Sequence, residues 1–328
     1  MNQETETISV VVAGHKDHGK STLVGRLLLD VGQVPDSCRR EASEACIQEG
    51  KEFQPAFLID RLLDERRDGL TLCAGRASIR RGDRRYELVD PPGHRALVRE
   101  VLLGATLADV AILVVDVSEG IAEQTRRHAT YLRTVGLDQL IVVVNKMDIV
   151  GFRVAEFQRL VASLTSLLQQ VGLAPLHFIP ASTLGGQNVV HPATVISWYD
   201  GPTVLQALEA SRRRAPSSQP LRLPVQDIFQ IDGEEMVVGR VEAGTVQVGD
   251  EVILLPGGRR SVICSLHRFE HTMDSACAGE SIGIRLEHAG CCFRGTVLCA
   301  SNDPPVVAER LQAQLLWTSE QPLDVGEV

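Results

Sequence analysis

The sequence predicts an α/β fold with a doubly wound, mostly parallel sheet. A small antiparallel β-barrel and the start of a truncated third barrel should follow it. Three observations predict this. Over the first 210 residues, short β-branched runs alternate with longer amphipathic segments, as strands buried on both faces alternate with crossover helices. Beyond residue 220 the period shortens to strands separated by turns, "TVQVGDEVILLP" (245–256) among them, the pattern of a small barrel. Between the two lies "SRRRAPSSQP" (211–220), small, polar and proline-flanked, which reads as a linker.

The elements come in order. "ISVVVAG" (8–14), "YELVD" (86–90), "VAILVVDV" (110–117), "QLIVVVNK" (139–146) and "LHFIPAS" (176–182) read as buried parallel strands. "EQTRRHATYLRTVG" and "AEFQRLVASLTSLLQQVG" read as helices ending at Gly136 and Gly172, because glycine adopts the left-handed cap conformation without strain. Residues 31–68 break the alternation and read as two helices inserted before the second strand. "ASIRRGDRRYELVD" has turn chemistry at Gly82-Asp83 and reads as a hairpin. The organisation expected is therefore an α/β domain over 1–210 with a helical insertion at 31–68, the linker at 211–220, a barrel over 221–303 and the start of an incomplete third domain over 304–328.

The 328 residues suffice for two or three domains, and 44% hydrophobic content predicts packed cores. A net charge of −9 argues against non-specific coating of nucleic acid, so DNA is not an expected partner. The N-terminus carries acids where a signal peptide needs bases, and no apolar run approaches the ~18 residues of a membrane span. No membrane partner is expected. Eight cysteines without CxxC or zinc-finger spacing point to thiols in a reducing cytoplasm.

Four motifs carry the chemistry. Gly14-His15-Lys16-Asp17-His18-Gly19-Lys20-Ser21-Thr22 fits GxxxxGK[ST] between a strand and a helix, which makes the fold an α/β P-loop NTPase. The glycines let successive N–H groups point at one phosphate, and the helix N-terminus adds a favourable dipole. Lys20 reaches the β- and γ-phosphates, and the Ser21 hydroxyl ligates Mg²⁺. "DPPGH" comes next at a strand end: Asp90 holds Mg²⁺ through water, Gly93 offers its N–H to the γ-phosphate and His94 orients an attacking water. In "NKMD", the Asp148 carboxylate accepts from guanine N1–H and the 2-amino group, which adenine cannot match; Lys146 lies over the base and Asn145 ties this loop to the phosphate loop. In "PAST" (180–183), a backbone N–H near Ser182 reaches the guanine O6, with Thr183 beside it. Thr71, in "DGLTL", can bring a second oxygen to Mg²⁺ when a triphosphate is present and so act as a switch.

With these residues in hand, "GHKDHGKST", "DPPGH", "NKMD" and the barrel after them resemble the translation-factor class of GTPases, with a barrel of their second-domain type. The inserted helices and "SWYDGPTVLQALE" (197–209) resemble elongation factor one alpha and the GTPase (large) subunit of bacterial sulfate adenylyltransferase; "STLVGRLLLDVG" and "WYDGP" look most like the latter. That resemblance implies GTP and GDP as ligands with Mg²⁺. It also implies GTP hydrolysis driving adenylyl sulfate formation, and an ATP-pyrophosphatase-like small subunit as partner. Two alternatives stand beside it: an elongation factor carrying aminoacyl-tRNA to the ribosome, and a GTP-binding regulator that hydrolyses slowly or not at all.

Lys16 departs from the family, which usually has valine there, and the departure generates a test. An apolar side chain there helps hold the histidine off the water, whereas a lysine adds positive charge near the γ-phosphate, where it stabilises transition-state charge. Lys16→Val is expected to lower partner-independent GTP hydrolysis and to leave GTP affinity nearly unchanged. Single-turnover rates on the two chains check this, and equal rates return Lys16 to a solvent-exposed side chain without a catalytic part.

Overall fold

The computed structural model describes residues 6–59, 75–90, 102, 104–106, 108–213, 219–231, 233–269, 271–288, 290, 292–312 and 326. The chain divides into two compact units, Met1–Arg213 and Arg214–Val328.

The first unit is built on a six-stranded sheet in the order β2-β3-β1-β4-β5-β6. The strands are β1 (Glu6–Gly14), β2 (Gly75–Arg81), β3 (Arg84–Asp90), β4 (Val110–Asp116), β5 (Leu140–Asn145) and β6 (Pro175–Pro180). β2 and β3 form the antiparallel hairpin read at Gly82-Asp83, with Gly82 at φ +56°; every other pairing is parallel. The helices are α1 (Lys20–Val31), α2 (Asp36–Gln48), α3 (Glu123–Thr134), α4 (Val154–Gln170) and α5 (Val204–Ala210).

The period-2 geometry of the strands divides the interior into two layers. Val10, Val12, Val110, Ile112, Val114, Ile141 and Val143 face one layer with Leu23 and Leu27 of α1 and Leu205 and Leu208 of α5. The alternate residues Val11, Ala13, Ala111, Leu113, Val115, Val142 and Val144 face the other, with Leu132 of α3 and Leu160, Leu164 and Leu168 of α4. All residues of β4 and β5 are buried, which is why those runs are continuously apolar. Gly136 and Gly172 lie just past α3 and α4 at φ +72° and +77° and donate to Arg133 O and Gln169 O. Leu137 and Leu173 then donate to Leu132 O and Leu168 O, completing the six-to-one bond of a Schellman cap at each helix. α5 begins on a reciprocal capping box between Thr203 and Gln206.

Of the two helices read in the insertion, the first is α2. Of the second, read from Phe53, residues 56–59 are helical and 53–55 are not, while residues 60–74, Thr71 among them, lie outside the described residues.

The second unit contains β7 (Arg222–Ile231), β8 (Glu234–Arg240), β9 (Thr245–Gln247), β10 (Glu251–Leu255), β11 (Arg259–Arg268), β12 (His271–Met273), β13 (Ser275–Cys277), β14 (Ser281–Leu286) and β15 (Val297–Ala300). The order β10-β15-β7-β8-β14-β11-β12 has an additional β10–β11 pairing, so the first six strands close into a ring. Leu223, Val237, Val252, Leu254, Ile263, Ile282, Ile284 and Leu298 fill it from alternate strand positions. The sequence reads "TVQVGDEVILLP" as one strand, but the structure breaks it into β9 and β10. Asp250 accepts the Gln247 N–H across a turn through Gly249 at φ +91°. β12, β13 and β15 are short additions that alternation alone does not reveal. Residues 304–312 hold no strand, and most of the chain beyond residue 312, where a third barrel would continue, lies outside the described residues.

Gly25 sits inside α1, and a Cβ added there would overlap the Pro55 carbonyl. Gly25→Ala adds helix propensity of ~1 kcal/mol, but overlap with fixed backbone costs about 1–3 kcal/mol. A net loss of stability is therefore expected, seen as a lower thermal midpoint. A raised midpoint would mean that the 51–59 segment moves away freely.

Candidate functional site

Parallel strands bring their C-terminal ends to one edge of the sheet, and loops from those ends converge there. The phosphate loop runs from Gly14, the last residue of β1, to Gly19, and α1 starts at Lys20. Its curl uses positive φ at Gly14 (+148°), Asp17 (+61°) and Gly19 (+95°). A Cβ at Gly14 would overlap the Val114 carbonyl, and one at Gly19 would overlap the Asn145 amide. The glycines are thus set by neighbouring strands as well as by curvature. Lys20 is buried and its Nζ donates to the His15 carbonyl at 2.8 Å. Ser21 and Thr22 are half-buried in the first turn of α1; Lys16 and Asp17 are exposed and His15 is half-buried. The sheet edge also carries Asp90, the last residue of β3. Gly93 and His94 lie outside the described residues.

Asn145, the last residue of β5, joins three loops. Its Nδ2 donates to the His18 carbonyl at 2.8 Å and to Thr183 Oγ1 at 3.0 Å, and its Oδ1 accepts the Thr183 N–H at 2.9 Å. Met147 N–H donates to the Ala181 carbonyl at 3.1 Å, a second tie between the same loops. Lys146 is left-handed at φ +60° and Asp148 is exposed.

Ser182 and Thr183 are both buried. The backbone N–H groups at these two positions, in the segment expected to reach guanine O6, have partners within the chain. Ser182 N–H donates to the Gln187 carbonyl and Thr183 N–H to Asn145 Oδ1. Both groups are used to hold the loop, and the next N–H in the chain is that of Leu184.

Three residues that motif reading passes over belong to this edge. The buried His128 of α3 accepts the Gly14 N–H at Nδ1, 3.0 Å away, so its proton sits on Nε2. Burial, with Lys20, His15 and His18 nearby, pushes its pKa down to about 4. Asp116, at the end of β4, lies 2.7 Å from Lys146 Nζ. Burial pushes its carboxyl up, but the Lys146 and Ser118 hydrogen bonds outweigh this and hold it below the usual value. Glu119 Oε2 is 2.9 Å from Nε2 of the buried His18, and its Oε1 is 3.7 Å from His15 Nε2. Both His18 nitrogens face acceptors, Glu119 and the Val114 carbonyl at 3.3 Å, which favours a charged ring; burial opposes this and prevails, lowering its pKa. The available signal was position: Asp116 and Glu119 lie at or just past a strand end, and His128 sits one helical turn before Leu132 on the buried face of α3.

The Elongation factor Tu GTP binding domain model matches residues 5–217, and the Elongation factor Tu domain 2 model matches 235–299. Elongation factor 1-alpha of Natronomonas pharaonis is 36% identical over 323 residues, 96% of this chain and 76% of that protein. Elongation factor 1-alpha of Methanosarcina acetivorans is 38% identical over 316 residues, 94% of this chain and 75% of that protein. The crystal structure of a bacterial selenocysteine-specific elongation factor is similar at a TM-score of 0.50 and 26% identity, over 90% of this chain and 45% of that one.

These relatives overturn the expectation of a sulfate adenylyltransferase subunit, and the ATP-pyrophosphatase-like partner falls with it. The segment that suggested it has a packing role. Trp198 donates to the Phe152 carbonyl and lies 5.3 Å from the Phe157 ring, and Tyr199 donates to the Pro202 carbonyl. It anchors α4 and the start of α5.

His128 yields a pH test. Its pKa is about 4 folded against 6.5 unfolded, so between these values the unfolded chain binds more protons. Its contribution is complete above pH 6.5 and declines as pH falls toward about 4, by about 3 kcal/mol in all. Denaturant unfolding across this window is expected to show the decline, and His128→Gln to flatten it. A slope unchanged by the substitution would assign the effect to other groups.

Proposed function

We propose, for a chain that belongs to the elongation factor Tu and elongation factor 1-alpha family of GTPases, that it binds GTP and GDP at the edge formed by the ends of β1, β3, β4, β5 and β6, hydrolyses GTP to GDP and phosphate, and works in translation as a GTP-dependent carrier of aminoacyl-tRNA to the ribosome. The observation that supports the site most directly is the Asn145 amide, which joins the phosphate loop to the 145–148 and 182–183 loops with three hydrogen bonds. Guanine recognition needs these loops held at fixed spacing, because Asp148 reads one edge of the base while the phosphates lie on Gly14–Ser21.

The roles come from the chemistry of each group. Lys20, now on the His15 carbonyl, supplies a cation for the β- and γ-phosphates. Positive φ at Gly14, Asp17 and Gly19 curls the loop so that its backbone N–H groups can converge on a phosphate. Exposed Asp148 accepts from N1–H and the 2-amino group, with the Lys146 stem along the base. His94 orients the attacking water. The donor set of Ser21, Thr71 and Asp90 consists of hydroxyl and carboxylate oxygens, which suit Mg²⁺; Ser21 and Thr71 would hold it directly and Asp90 through water. The bound ion would neutralise charge developing on the phosphate oxygens. The carrier role draws on the relatives named elongation factor 1-alpha, which the chain covers over about three quarters of their length.

Asp148→Asn is expected to swing preference from GTP to xanthosine triphosphate by roughly 10²-fold or more, because a site built on paired hydrogen bonds rejects the mismatched base strongly. Competition with labelled GDP measures it, and unchanged preference would remove Asp148 from base recognition. Gel shift with aminoacyl-tRNA tests the carrier role: binding with a non-hydrolysable GTP analogue and not with GDP is expected, and equal or absent binding in both states overturns it.

A further inference from the structure

The last residue of β4 and the short loop after it set two carboxylates, Asp116 and Glu119, against two parts of the nucleotide site. Asp116 pairs in register with Asn145, so it lies beside the residue that precedes Lys146. Both of its oxygens are engaged. Oδ2 is 2.7 Å from Lys146 Nζ, while Oδ1 accepts the Ser118 N–H at 2.8 Å and the Ser118 hydroxyl at 2.6 Å. The Asp116 side chain is 6% exposed and that of Lys146 33%, so the carboxylate is the fixed member of the pair. Lys146 itself is left-handed at φ +60°, a conformation that a long side chain rarely adopts and that persists where its surroundings over-determine it. Glu119, in the loop after β4, meets His18 and His15 of the phosphate loop.

We infer that Asp116 is a positioning residue for bound guanine nucleotide: it pins the Lys146 side chain as one wall of the base site and thereby slows nucleotide release. The inference rests on the guanine-nucleotide reading above. A lysine free in solvent samples many rotamers, and ordering it over a base loses that freedom on binding. A lysine already held at its tip loses little more, so the base meets a preorganised wall. The Ser118 bonds matter because they keep the carboxylate from following Lys146 outward. Asparagine has nearly the same shape but no charge, so Asp116→Asn separates the ion pair from space filling.

The experiment measures release of methylanthraniloyl-GDP from the full chain by fluorescence. Asp116→Asn is expected to release it about tenfold faster, the scale of losing a charge-assisted hydrogen bond. Asp116→Glu, which restores a carboxylate, should return release toward the wild-type rate. Lys146→Met should itself speed release, and the Asp116→Asn/Lys146→Met double variant should be no faster than Lys146→Met alone, because Asp116 acts through Lys146. An Asp116→Asn rate within about twofold of wild type, or single effects that multiply in the double variant, overturns the inference while leaving the guanine-nucleotide reading intact. A wild-type chain that retains no GDP overturns both. If Asp116→Asn does not fold, Ser118→Ala tests the same pin, with release about threefold faster expected and an unchanged rate counting against it.

Discussion

One buried amide sets the geometry on which the nucleotide site depends. Asn145 is 1% exposed and uses both ends of its side chain, donating to the His18 carbonyl and Thr183 Oγ1 and accepting the Thr183 N–H. A buried polar group left unpaired costs more than a made bond contributes. The three loops that meet at Asn145 are therefore held together by the penalty for separating them. The sheet supplies the rest. β5 is buried throughout and paired on both sides, with β4 and β6, so its last residue emerges at a fixed height among the strand ends.

The same logic extends to the phosphate loop, which is braced from below rather than from solvent. Gly14 gives its N–H to neutral His128, and its missing Cβ admits the Val114 carbonyl. His18 is enclosed between that carbonyl and Glu119. Each contact comes from β4, α3 or the loop between them, far from the phosphate loop in sequence. The loop's shape is thus a property of the packed domain. Its own residues permit the curl, and their neighbours enforce it.

The fold was legible from the chain because its signals are local. Continuous apolar runs mark the fully buried β4 and β5, Gly136 and Gly172 mark helix ends, and Gly82-Asp83 marks a hairpin. The placement of the 14–21, 145–148 and 182–183 segments at or just past strand ends was legible, because phosphate and guanine chemistry demand particular residues at close spacing. Asp116, Glu119 and His128 were not, because the site groups they meet, Lys146, His18 and Gly14, are about 30 to more than 100 positions away. The split of β9 from β10 and the short strands β12, β13 and β15 were missed for a related reason: three or four residues carry too little alternation to be read. The sulfate reading failed at a finer level. "SWYDGP" speaks for the packing of α4 and α5, and packing is shared by relatives with different chemistry.

The closed ring of the second unit carries a consequence for recognition. Six strands close the ring, but β7 pairs with β15 only over residues 222–224, so its continuation to Ile231 is laddered to β8 alone. Strand addition is therefore blocked along the closed part of the ring and is left to stretches that project beyond it, such as the far end of β7. Whatever meets the closed part of the ring must read side chains and loop tips, so its specificity is written in residues that can vary without disturbing the hydrogen-bonded wall behind them.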